Sequence, residues 1–239
     1  MQRHRFYAPN HQGSSIFLEA EEAHHLVRVL RLQPGAVVFA FDGNGQEFEC
    51  VVERATKTSA ELNIITALTN VVESPLQLTL GLAVLKSDKF DWVVQKATEI
   101  GVTRIVPLIT EHSEFRPSDN REGRLQRWRR IALEATKQSG RRSLPDIGTI
   151  RSLPEFCETE SNDIRLIFSE SKGEQIMKTE RIKSVAVLIG PEGGWSEKEL
   201  VIALKYGYQS IHLGNRILRA ETAAVAAVSL VQFLWGDFH

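Results

Sequence analysis

From Pro75 to its end the chain keeps to one alternation, and no other feature restricts the fold as strongly. Apolar runs of strand length, "LTLGLAVL", "VTRIVPLI", "IRLIFS", "SVAVLIG" and "SIHLG", are separated by helical patterns such as "DKFDWVVQKATEIG", "SEKELVIALKYG" and "AETAAVAAVSLVQFLW". Strands alternating with helices predict a mostly parallel sheet covered on both faces, an α/β arrangement. Gly101 is placed to end the first of these helices. Before residue 72 the character differs. "SSIFLEA", "AVVFAF", "QEFECVVE" and "SAELNII" are short β-like runs, and Phe48, Cys50 and Val52 alternate with Glu47, Glu49 and Glu53. "FDGNGQ" predicts a hairpin, because Gly43 and Gly45 can supply the positive φ of a tight turn. This half reads as a small antiparallel barrel, interrupted by a short helix in "EEAHHLVRVLRLQPG" that stops at Pro34 and Gly35. With "TNVVESP" as the linker, the expected domains are 1–72 and 73–239.

Composition excludes several classes. With 42% hydrophobic and 25% charged residues the 239-residue chain carries enough apolar mass for an ample core, which argues against disorder. No apolar run reaches the roughly 18 residues of a membrane-crossing helix, and "MQRHRFYAPN" lacks the apolar stretch of a secretory signal. The expectation is a cytoplasmic protein with no membrane partner. Cys50 and Cys157 stand far apart with no CxxC or His-rich spacing, so plain thiols are expected rather than a disulfide or a metal site.

The net charge of −1 conceals a local excess of cations. Between Arg121 and Arg142, eight Arg and Lys residues face only Glu122 and Glu134. Such a block suits a polyanion. It equally suits a solvated helix face, since Leu125, Trp128, Ile131, Ala132 and Ala135 recur at helical spacing and would dock into a core. A second basic set, Arg3, Arg5, Arg28 and Arg31 with His24 and His25, favours nucleic acid.

"VLIGPEGGWSEKEL" then sets a glycine turn at the carboxyl end of a buried strand, with Ser196 and Glu199 forming a capping box for the next helix. In open α/β sheets ligands bind beyond the carboxyl ends of strands, and glycines let a backbone come close to them. The turn is no Walker A loop, for the Lys-Ser/Thr pair is missing, and Glu192 would repel a triphosphate. A side chain at Gly194 is expected to fill the turn. The next strand repeats the device in "HLGNRILRAETAAVAAV", and two neighbouring glycine turns imply one shared pocket.

"IGPEGGWSEKE" together with "LGNRILRAETA" resembles the RsmE family of SPOUT methyltransferases. "HHLVRVLRLQPG", "KSDKFDWVVQKATEIGVTRIVPL" and "RWRRIALEATKQSGRRSLPDI" extend the resemblance along nearly the whole chain. It implies a PUA-like RNA-binding barrel followed by an α/β domain with a deep trefoil knot, a homodimer, and S-adenosyl-L-methionine as methyl donor. The reaction it implies is methylation of N3 of a uridine in 16S ribosomal RNA, with the assembled small subunit as the expected substrate. Carried onto this chain, the donor-binding residues are Phe168, Gly190, Pro191, Glu192, Gly194, Leu213, Gly214, Ile217, Leu218, Ala220 and Thr222.

A sulfonium donor carries no phosphate, so backbone groups suffice and Glu192 is tolerable. Methylating an imide nitrogen requires loss of its proton, for which a cation can stabilise the anion and a carboxylate can take the proton. Arg219 is the expected cation and Glu221 the expected base; a salt bridge and a helix-dipole contact are their plainer readings. Arg3, Arg5, Arg28, Arg31, Lys86, Arg127, Arg130 and Arg141 are the expected RNA contacts, and Trp128 either stacks on a base or packs in the core. A non-catalytic RNA-binding or ribosome-binding protein with the same fold, and a nucleotide-dependent enzyme, are the alternatives.

Overall fold

The computed structural model describes residues 3–70, 73–113, 120–170, 176 and 182–238; residues 71 and 72 of the expected linker lie outside them. The chain divides into two compact units. The first ends at Glu73, one residue past the expected boundary, and also holds residues Thr136–Leu144.

In the first unit the chain forms β1 (Arg5–Tyr7), β2 (His11–Gln12), β3 (Ser15–Glu19), α1 (Ala20–His24), β4 (Val37–Phe41), β5 (Glu47–Ala55) and β6 (Ser59–Ala67). The sheet order is β1-β4-β5-β6-β3-β2. Its alternating side chains turn Phe6, Ile16, Leu18, Val38, Ala40, Cys50, Val52, Ala60 and Leu62 into one buried cluster, which α1 and the π-helical turn His25–Val29 close with Ala23 and Leu26. Register shifts at Glu49/Cys50 and Val52/Arg54 let the β5–β6 ribbon twist more strongly around that core. The β4–β5 hairpin turns on Gly43 at φ +81 and Gly45 at φ +107, while Asp42 Oδ1 accepts from the amides of Asn44 and Gln46 at 2.7 and 3.0 Å. One pairing departs from the antiparallel expectation: β1 runs parallel to β4. The excursion through β2, β3 and α1 gives the chain room to return in the same direction, which a tight turn cannot do.

Three of the sequence-based expectations change inside this unit. Glu47, expected in an outward row of acids, is 3% exposed because it lies between two arginines. Arg5 Nε donates to its Oε1 at 2.6 Å and Arg142 Nε to its Oε2 at 3.0 Å. The Arg5 guanidinium also donates to the carbonyls of Thr136, Lys137 and Arg141 at 3.0, 2.9 and 2.6 Å, so it satisfies acceptors that a helix leaves orphaned at its carboxyl end. Arg142 reaches the carbonyls of Leu68 and Asn70, and Arg141 Nε pairs with Glu73 at 3.0 Å. Arg5 and Arg141 are therefore internal, and the RNA-facing role expected of them is corrected to a structural one. Their partners lie 42 and 68 residues away, beyond the reach of local charge counting.

The second unit contains β7 (Gln77–Ala83), α2 (Ser87–Glu99), β8 (Arg104–Ile109), α3 (Arg121–Ser139, the last turn of which belongs to the first unit), β9 (Asp146–Ile147), β10 (Arg151–Ser152), α4 (Leu153–Thr159), β11 (Ile164–Phe168), β12 (Ser184–Ile189), α5 (Glu197–Lys205), β13 (Gln209–Ile211) and α6 (Ala220–Trp235). The sheet runs β10-β8-β7-β12-β11-β13 with β9 beside β8, and every pairing is parallel. Leu78, Leu80, Leu82, Val185, Val187, Leu166 and Phe168 face one cluster with α2, α3 and α6; Val106, Leu108, Ala186, Leu188 and Ile167 face a second with α4 and α5. Two helical layers thus cover both faces, as near-continuous apolar strands require. Trp128 is core: it is 2% exposed, its ring lies 4.1 Å from that of Phe90, and its Nε1 donates to Asp91 Oδ1 at 3.1 Å.

Candidate active site

The strands β12, β11 and β13 are neighbours, so the segments leaving their carboxyl ends converge. Residues from Phe168 to Glu170, from Ile189 to Trp195 and from His212 to Ala220, with Ala223, line one cavity of about 690 Å³ in the second unit. Ten of the eleven expected donor-binding residues line it: Phe168, Gly190, Pro191, Glu192, Gly194, Leu213, Gly214, Ile217, Leu218 and Ala220. Thr222 does not. Ala220 and Ala223 are three apart and share the inner face of α6, while Thr222 points outward and is exposed.

Each wall has a local cause. The turn closes with Gly194 N–H donating to Pro191 O at 2.9 Å, and Ser196 and Glu199 make the reciprocal capping box that starts α5. At Gly190 a Cβ would stand 3.1 Å from the Trp195 ring, whose Nε1 donates to Phe168 O at 2.9 Å and so ties the β12 loop to the β11 loop. At Gly193 a Cβ would lie 2.9 Å from His112 Cβ. His112 Nδ1 is 3.1 Å from the carbonyls of both Gly193 and Gly194; as these only accept, Nδ1 carries the proton. Gly194 differs from the expectation that a side chain there would fill the turn. A Cβ at 194 meets nothing within 4 Å, and its φ of +72 is what calls for glycine.

Charge concentrates at one side of the cavity. Lys89, in the first turn of α2, donates to Glu192 Oε1 at 2.9 Å and lies 3.7 Å from Glu221 Oε2. Burial pushes the Glu192 carboxyl up, yet the hydrogen bond from Lys89, its own backbone and the charges of Lys89 and Lys86 outweigh that and hold it below the usual range. The hydrogen bond to Glu192 likewise raises the Lys89 ammonium. Arg219 is the N-cap residue of α6 and lines the cavity; Glu221, in the first turn of α6 beside Lys89, is not among the lining residues. Lys89, Trp195, His112 and His212 were not legible as site residues. Lys89 meets its partner 103 positions on, and helical phase alone marks it only as a half-buried position.

Two buried polar atoms beside the cavity, His212 Nδ1 and Glu221 Oε2, have no hydrogen-bond partner among the described residues. Buried polar groups without partners are uncommon, so both invite a ligand. Ile217 is 79% exposed on the cavity wall, an apolar surface awaiting a cover. Glycine backbone and apolar side chains suit a ligand held by main-chain groups, and the lining carries both carboxylates, Glu170 and Glu192, and cations, Lys89, Arg216 and Arg219.

A model described as the RNA methyltransferase domain matches residues 72–232, and one described as the RNA methyltransferase PUA domain matches residues 18–65. Ribosomal RNA small subunit methyltransferase E of Buchnera aphidicola is 33% identical over 93% of this chain and 89% of its own. That of Aquifex aeolicus is also 33% identical, over 95% and 98%. The crystal structure of the Neisseria gonorrhoeae protein of the same name, bound to S-adenosyl methionine, covers all of both chains at 34% identity with a TM-score of 0.93. On the cavity, the strand order and these relatives together, the chain belongs to the ribosomal RNA small subunit methyltransferase E family.

Proposed function

We propose that the cavity binds S-adenosyl-L-methionine and that the chain methylates N3 of a uridine in 16S ribosomal RNA on the small subunit. The observation that carries this reading is the convergence of three loops from adjacent parallel strands on one cavity whose glycine turns expose backbone N–H and C=O groups. When bound, the donor supplies a methyl carbon whose bond to sulfur breaks with the electron pair remaining on sulfur. Phe168, Leu213, Ile217 and Leu218 would exclude water around it, while Gly190 to Gly194, Gly214 and Ala220 would meet it with backbone or small side chains.

At the acceptor, Glu221 takes the imide proton, and the electron pair it leaves on N3 forms the bond to the methyl carbon. A positioned base typically contributes about 10²- to 10⁴-fold. Arg219 steadies the uridine anion, an electrostatic effect on the order of 10²- to 10³-fold when fixed beforehand. Arg3, Arg28 and Arg31 of the first unit, and Lys86, Arg127 and Arg130 of the second, are exposed and are our RNA contacts. Arg127 answers Asp91 as well, so its grip on phosphate is the weaker.

We further read the protein as a cytoplasmic homodimer. Exposed Trp92 and Phe233, on helices α2 and α6 that pack together, supply apolar surface for a second copy. Among the described residues no helix is long and apolar enough to cross a membrane. The placing of β11 between β12 and β13 is compatible with the trefoil crossing that the family implies. Methyl incorporation into small subunits from a strain lacking the gene, with mapping of the modified base, tests the assignment. One methyl group on a single uridine N3 supports it; modification elsewhere, or none, refutes it.

A further inference from the structure

Resting on that reading, we infer that His112 is a positioning residue for donor binding: from the turn after β8, its imidazole N–H holds the Gly193–Gly194 backbone in the shape that meets the donor. In the sheet β7 stands between β8 and β12, so the turn after β8 reaches the glycine turn across the end of a strand. Two hydrogen-bonded links make that crossing. His112 Nδ1 donates to the carbonyls of Gly193 and Gly194, each at 3.1 Å, and the Glu111 amide donates to Glu199 Oε1 at 2.9 Å. Glu199 is buried and its other oxygen accepts from the Ser196 amide at 3.0 Å, so one carboxylate joins the turn after β8 to the start of α5. That turn is itself fastened. Ser113 Oγ donates to Thr110 O at 2.9 Å and accepts from the Thr110 amide at 3.2 Å.

The link through Glu199 anchors a helix, whereas the link through His112 acts on the cavity wall. Gly193 and Gly194 both line the cavity, and neither has a Cβ to restrict its dihedrals. Gly194 sits at φ +72, and glycine populates the opposite sign of φ about as readily. A trans peptide sets its N–H opposite its C=O, so fixing the Gly193 carbonyl also fixes the Gly194 amide, which donates to Pro191 O at 2.9 Å. One peptide is thereby held from both sides, by His112 and by Pro191. Packing agrees with this: a Cβ at 193 would stand 2.9 Å from His112 Cβ, so the turn already rests against this residue. A loop ordered before its ligand arrives loses less freedom on binding, and the difference appears as affinity. His112 is not among the lining residues, so it acts through the turn alone.

The test titrates the full chain calorimetrically with S-adenosylmethionine, without RNA, in the unsubstituted protein, in His112→Leu and in His112→Asn. Leucine keeps bulk and removes the hydrogen-bond donor; the asparagine amide puts an N–H close to the place of Nδ1. The dissociation constant is expected to rise about fivefold in His112→Leu, the scale of one hydrogen bond net of water, and to return to within about twofold in His112→Asn. The single-turnover methylation rate at saturating donor should not follow it. Unchanged affinity in His112→Leu overturns the inference, whatever happens to the melting temperature or the rate. Equal weakening in both variants overturns it as well, because volume rather than the N–H would then matter. In the unsubstituted protein, a ¹H–¹⁵N correlation across the imidazole at about pH 8 should find the proton on Nδ1, and a proton on Nε2 alone contradicts the tether without any substitution. A chain that binds no donor refutes the reading above and this role with it; one that binds the donor with an affinity indifferent to His112→Leu refutes the role of His112 alone.

Discussion

Replacing Glu47 by glutamine tests whether the first unit is held by its buried ionic cluster. The exchange keeps the shape of the side chain and removes one charge facing two guanidinium groups. Arg5 and Arg142 have side chains 7% and 5% exposed, and both lose a charge-assisted bond, at 2.6 and 3.0 Å. Breaking a buried pair costs about 3–5 kcal/mol. Both arginines keep carbonyl acceptors, at Thr136, Lys137 and Arg141 for one and at Leu68 and Asn70 for the other, which argues for the lower end, about 3 kcal/mol. All four tryptophans, Trp92, Trp128, Trp195 and Trp235, lie in the second unit, so indole fluorescence would not report on this loss. Hydrogen exchange does. Amides in β4 and β5 that exchange by opening of the first unit should speed up on the order of 10²-fold. Replacing all three groups at once, Glu47→Leu with Arg5→Leu and Arg142→Met, should not restore the protection, because the carbonyls of Thr136, Lys137, Arg141, Leu68 and Asn70 then lose their donors. Acceleration below about fivefold in Glu47→Gln, equivalent to about 1 kcal/mol, would refute the view that these contacts hold the unit together.

Glycine substitutions in the donor loop should separate space from strain. Gly190→Ala must displace the Trp195 ring, 3.1 Å away, and should weaken donor affinity about tenfold or more by calorimetry, whereas Gly194→Ala meets no atom and costs only backbone strain of roughly 1–2 kcal/mol in thermal unfolding. Equal effects on donor binding would contradict this. Arg130→Ala should weaken RNA binding and lower the salt slope by about one, while Arg141→Ala should instead lower stability, as read by filter binding across salt and by melting. Burial pushes the Cys50 thiol up to about 11 and the Cys157 thiol up to about 12, so at pH 8 roughly one in a thousand or fewer is thiolate and neither should react with a thiol reagent until the chain unfolds. Rapid labelling of the native protein would show that they are not so enclosed.

Local pattern made much of this legible. The strand–helix alternation announced the parallel sheet, Ser196 and Glu199 announced the start of α5, and two glycine turns at strand ends announced a common cavity because adjacent strands bring such turns together. What local pattern missed depends on distance along the chain. Arg5 and Arg141 look like surface cations until β1 and the segment after α3 meet Glu47 and Glu73. Lys89 is chemically silent until α2 is laid beside the loop after β12. Thr222 was displaced by the phase of one helix, a shift of one residue being about 100° of rotation, enough to turn Ala223 inward in its place. The parallel partnership of β1 with β4 has no sequence mark at all, since a three-residue strand carries too little alternation to name its neighbour.

Calorimetric titration of the purified chain with S-adenosylmethionine bears most directly on the claim that the loops after β11, β12 and β13 form one site for a sulfonium donor. The account predicts saturable binding at one site per chain, competed by adenosylhomocysteine, unaffected by nucleoside triphosphates and weakened by Gly190→Ala. Absence of heat, or binding undiminished by that substitution, would contradict it.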